Sequence, residues 1–262
     1  MGVGGESAMT IAARMGAYKI YPTEDVIIPK SGSVTFKITS SNGDIALLSK
    51  KYGGWNPCTL GGIDGKITDY KVSGTTNPKD LISITFTRDE DGEETYITTE
   101  TELIVEAQRE KADWNIIFVG TNGGWDNDNK TYSEYVNSGS KGEELANLIN
   151  DMIDNTHFRE KCIVIGLAVG NNAEKYENVN ATLKKEFGNN FIDIKAYFTD
   201  EEKLTNANVV LTEQDIQDIE DGYIPRSLKK NNVLTDLHFN EKGYELLAKL
   251  VQEKLNELGF NK

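Results

Sequence analysis

The chain has 262 residues, enough to bury a sizeable core as one large domain or two modest ones, and its balance of 38% apolar to 27% charged residues is that of a globular protein. A net charge of −14 argues against a nucleic-acid partner, because a phosphate binder needs a basic face, and disfavours an anionic membrane surface. No apolar run approaches the roughly 20 residues of a membrane span, and the two cysteines, Cys58 and Cys162, fit neither a disulfide framework nor a metal-ligand spacing.

The chain opens on MGVGGES, a Gly-rich turn, and TIAARMG (10–16) behind it has helical character. Short stretches rich in Thr, Ile, Val and Tyr follow: SVTFKITS (33–40), DIALLSK (44–50), SITFTRD (83–89) and ETYITTETELIV (94–105). Turn clusters such as SNGD, GGIDG and DEDGEE punctuate them, so residues 18–110 read as hairpins with no helix among them.

From 111 the pattern changes. WNIIFVG (114–120), CIVIGLAVG (162–170) and FIDIKAYF (191–198) read as buried strands. GEELANLINDMID (142–154), NAEKYENVNATLKKEF (172–187) and EKGYELLAKLVQEKLNELG (241–259) read as helices. Unbroken apolar strands alternating with helices predict an α/β domain with a parallel sheet covered on both faces. The opening helix fits that domain better than the hairpins do. The predicted organisation is therefore a discontinuous α/β domain, 1–16 with 111–262, and an inserted β-rich module, 17–110.

In open parallel sheets, ligands sit at the carboxyl ends of strands. Two stretches rich in Gly and Asn fall there, GTNGGWDND (120–128) and GNN (170–172). The Asn122 amide is suited to donating to a developing oxyanion; equally, Asn tolerates a left-handed turn. Of the two histidines, His157 sits in a polar stretch and reads as solvated. His238, in LTDLHFNEKGY, has Asp236 two residues upstream, a pairing suited to a general base whose tautomer the acid fixes. The same segment is a helix entry, with Asn240 as N-cap and Glu241 in the first turn. Trp55 and Trp125 lie in Gly-rich loops, where they either stack on a sugar ring or plug the loop base.

GVGGES, GTNG and DLHFNEKGY, in that order, resemble three of the four sequence blocks of the SGNH, or GDSL-type, esterases. A branch of that family carries a β-rich insertion between the second and third blocks, with a GG-x-NP-x-T loop; here the loop is GGWNPCT (53–59), and a stretch like DIEDGYIPRSL (218–228) precedes the His block. The resemblance implies a flavodoxin-like three-layer α/β/α sandwich. It implies hydrolysis of a small acyl ester or an acetylated carbohydrate, with no metal or organic cofactor. It assigns the oxyanion hole to Gly5 and Asn122 and the base to His238; Trp55, Asn56 and Trp125 are the candidate substrate contacts. The family usually places its acid at the position of Thr235, so Asp236 is one residue displaced. The family's nucleophilic Ser lies in a GDS turn after a first strand, and no GDS occurs in this chain. Ser7 and Ser227 (in IPRSL) lack a nucleophile's context. The resemblance thus implies an esterase without its first strand and nucleophile, whose unpaired strand edges favour self-association. The alternative is a non-catalytic carbohydrate-binding or surface- or tail-associated structural module on an esterase scaffold.

Overall fold

The computed structural model describes residues 5–41, 55–72, 82–109, 112–126, 130–168 and 173–260. DIALLSK and GNN (170–172) lie outside them. In chain order the elements are α1 (Ala8–Arg14), β1 (Ile20–Pro22), β2 (Val26–Ile28), β3 (Ser33–Ser40), β4 (Cys58–Leu60), β5 (Ile63–Val72), β6 (Ile82–Arg88), β7 (Thr95–Ile97), β8 (Leu103–Ile104) and α2 (Glu106–Arg109). There follow β9 (Asn115–Ile117), α3 (Tyr132–Asn137), α4 (Glu143–Asp154), β10 (Cys162–Ile165), α5 (Ala173–Phe187), β11 (Phe191–Ile192), α6 (Ile194–Phe198), α7 (Glu201–Asn206), α8 (Glu213–Glu220) and α9 (Glu241–Glu257). Two compact units form, one of residues 1–112, 122–131 and 148–157, the other of 113–121, 132–147 and 158–262.

The first unit is built on a six-stranded antiparallel sheet of order β1-β3-β6-β5-β4-β8, with β2 and β7 pairing separately. Its edge strands β1 and β8 come into contact, so the sheet curls almost into a barrel. Period-two alternation decides which face is buried. Phe36 opposite Ile84, and Ile67 opposite Phe86, point inward with Leu60, Cys58 and Trp55. The outer face carries threonines that pair across strands, Thr35 with Thr85 and Thr68 with Thr87. Gly65 is required where the Phe86 ring crosses β5: a Cβ there would sit 2.5 Å from the ring's Cζ and 2.5 Å from the Thr87 carbonyl.

The second unit holds a parallel sheet of only three strands, order β11-β10-β9. Its core gathers Ile163, Ile165, Ile192 and Phe198 with Leu228, Phe239, Leu246 and Leu247. The Phe198 and Phe239 rings meet edge to face, centroids 5.1 Å apart. The side chain of Asn180, on α5, grips the end of β10, accepting from Leu167 N–H at 2.8 Å and donating to its carbonyl at 2.9 Å.

The expected flavodoxin-like sandwich is overturned. The dominant sheet is antiparallel, and the parallel strands are two to four residues long. Local stops shorten them. FIDIKAYF is not one strand, because the Asp193 carboxylate accepts the Ala196 N–H and starts α6 there. At Gly120 a φ of +113° turns the chain, with Leu145 and Leu167 packed where a Cβ would stand. The stretch 94–105 also divides, β7 pairing with β2 and β8 with β4. The short helix α2 lies in a region expected to have none.

Candidate active site

The expected oxyanion donors fall in the first unit, on two segments stitched together. Ser7 caps α1, its hydroxyl accepting from Thr10 N–H. The two preceding donors of that helix end, Ala8 and Met9 N–H, bond the carbonyls of Gly123 and Gly124 at 2.9 and 2.8 Å. The Asn122 amide donates to the Glu6 carbonyl at 2.9 Å, immediately after Gly5. One further amide N–H remains to Asn122, and both Asn122 and Gly5 are exposed. Gly124 permits the close approach: its φ is +64°, and a Cβ would lie 2.6 Å from that of Ser7. Residues 1–4 of the GVGGE block lie outside the described residues.

Below this turn, Glu6 and Arg14 form a buried ion pair, Nε to Oε2 at 2.9 Å, with side chains 2% and 6% exposed. Burial pushes the Glu6 carboxyl up from its ordinary value, and Arg14 only partly offsets it. The acid and the base of GVGGE…TIAAR are therefore a structural pair.

The three candidate substrate contacts are turned inward or occupied. Trp55 and Trp125 are 0% and 1% exposed, so neither ring offers a face for stacking. The Asn56 amide is spent on Ile67, donating to its carbonyl at 2.9 Å and accepting its N–H at 2.8 Å. Of the two readings of these rings, stacking on a sugar or plugging the loop base, their burial favours the second.

The candidate base lies in the second unit. Asp236 Oδ1 accepts His238 N–H at 3.0 Å and stands 3.3 Å from Nδ1; Oδ2 accepts from Asn231 N–H at 3.1 Å and from its amide. The His238 backbone N–H, then the ring and Asn231, hold the Asp236 carboxyl below its ordinary range despite some desolvation. The acid is thus shielded, 7% exposed, whereas the imidazole is 70% exposed. Nδ1–H donating to the carboxylate leaves Nε2 as an acceptor facing water. The contact with His238 N–H is also a local Asx turn. Thr235 and His157 are exposed.

The His238 loop is held at its base by side chains whose anchoring role the sequence did not reveal. Asp215 and Asp218, three apart on one face of α8, are 0% and 2% exposed. Asp218 takes Arg226 in a fork, Nε at 2.9 Å and Nη2 at 2.7 Å, and also its N–H. Asp215 closes a capping box with Thr212 and accepts Ser227 N–H at 3.1 Å. Burial raises both carboxyls, but these hydrogen bonds outweigh it and hold them below the ordinary range. Lys229 and Phe239 form an antiparallel bridge, Lys230 N–H bonds the His238 carbonyl at 2.9 Å, and the Asn240 amide donates to the Ser227 carbonyl at 2.7 Å while its oxygen caps α9. The Ser227 hydroxyl is sealed from solvent. The T-x-x-D of 212–215 was the one readable sign of this anchor.

Among the described residues no three His, Cys, Asp or Glu side chains gather as metal ligands, and no helix is long and apolar enough to cross a membrane. Comparisons with protein-family profiles, curated proteins and solved structures find no match.

Proposed function

We propose that this chain is an acyl-ester hydrolase of the serine-esterase type, with His238 as general base and Asp236 as the acid that orients it. The observation that carries the reading is the shielded Asp236 carboxylate 3.3 Å from Nδ1 of an otherwise exposed imidazole. In such a reaction Nε2 takes the proton of an attacking hydroxyl and returns it to the leaving alcohol oxygen. The nucleophile is unassigned, and the buried hydroxyl of Ser227 is unsuited to the role. A small acyl group is the proposed substrate; with Trp55 and Trp125 buried, a carbohydrate has no stacking platform in them.

A second reading, a non-catalytic binding or surface-associated module, is favoured by one observation. Among the described residues no hydroxyl bonds His238 Nε2. Hydrolysis of p-nitrophenyl acetate decides between them. The esterase reading expects turnover by the wild type that His238→Ala removes and Asp236→Asn lowers by orders of magnitude, as loss of the orienting acid does in comparable triads. Equal rates for wild type and His238→Ala would sink it and leave the binding module.

A further inference from the structure

Lys229, the first residue of the polar run KKNN, is 4% exposed. Its Nζ donates to the Leu234 carbonyl, midway round the loop that ends in His238. Its main chain starts that loop through the bridge to Phe239. The charged groups around it are Asp218 of α8, Arg226 of the turn after α8, and Asp236 of the loop itself. Burial pushes its ammonium below the ordinary lysine range, with the two carboxylates opposing that shift and Arg226 adding to it. A buried lysine kept in this setting needs its carboxylates and its acceptor in place.

We infer that Lys229 is a positioning residue for His238. Its buried ammonium fastens residues 230–238 at the Leu234 carbonyl and stands within electrostatic reach of Asp236. That keeps the Asp236 carboxylate placed to hold the imidazole as its Nδ1–H tautomer. The functional meaning rests on the reading of His238 as a base, but the arrangement itself is open to test without activity.

The test is the tautomer of His238, read from its imidazole nitrogen shifts in the uniformly labelled full chain above the histidine titration, with assignment by His157→Gln. The wild type is expected to hold Nδ1–H. Lys229→Met, which keeps the bulk and removes charge and donors, shifts the population toward the Nε2–H form that a free imidazole prefers. Lys229→Arg retains the wild-type form. A folded Lys229→Met that keeps Nδ1–H overturns the inference while leaving the His–Asp pair standing. Nε2–H in the wild type itself overturns both the pair and this inference. Should Lys229→Met not fold, the wild type is followed to alkaline pH: the His238 Nδ1 signal is expected to move as Lys229 loses its proton, and a flat trace counts against the assignment.

Discussion

Asn56 completes the β4–β5 ladder with its side chain. The register that pairs Cys58 with Gly65 places Asn56 opposite Ile67, and there the amide, not the main chain, satisfies both polar groups of Ile67. Ile67 is 2% exposed, so those groups have no water to fall back on. Asn56→Ala is expected to cost about 1–3 kcal/mol for the unpaired groups, seen as a lower urea midpoint. Asn56→Asp, which accepts but cannot donate, should rescue only part of it.

Glu6 and Arg14 are both nearly inaccessible, and desolvation outweighs their attraction at the Glu6 carboxyl. Glu6→Gln therefore strands a buried guanidinium without its carboxylate, at an expected cost of about 3–5 kcal/mol. Replacing both together, Glu6→Leu with Arg14→Met, should recover most of that loss. A double-mutant cycle of unfolding free energies checks the sign of the coupling.

Gly124→Ala places a methyl against Ser7 and an L side chain at a φ of +64°. The backbone strain alone is about 1–2 kcal/mol. The loop carrying Asn122 should lift from the start of α1, and faster hydrogen exchange at the Ala8 and Met9 amides would report it, since their acceptors are the Gly123 and Gly124 carbonyls.

Asp215 and Asp218 bind fewer protons when folded than when unfolded, because their folded carboxyls sit below the ordinary value of 3.8. Their contribution to stability is complete above that value and is lost as pH falls through the lower folded one. Acid unfolding of the second unit should therefore steepen below about pH 4. Asp218→Asn should unfold more readily at neutral pH and show a shallower acid limb, measured by circular dichroism against pH.

The helices were the readable part. The apolar spacing of α4 and α9 places their buried faces, and Asn240 marks the start of α9 as a cap should. What failed depends on single side chains acting on the main chain. Asp193 converts an apparent strand into a helix start, and Asn180 and Asn56 stand in for strand neighbours. Periodicity carries no trace of such substitutions. Gly-rich flanks left open whether Trp55 and Trp125 face a ligand or plug the loop base, and only burial tells the two apart. The contact between His238 and Asp236 was legible because it joins two residues close in sequence. The anchor of Asp218, Arg226 and Lys229 was missed because charged residues in a polar run look alike until burial separates them.

The closed base of the His238 loop has an entropic consequence. Residues 230–238 leave and return through one bridge, and Asn240 ties their exit to both the Ser227 carbonyl and the first turn of α9. Most of the freedom such a segment would forfeit on meeting a ligand has already been surrendered during folding. A ligand arriving at the imidazole would therefore find a group held in place beforehand, and its binding energy would not be drained in ordering the loop.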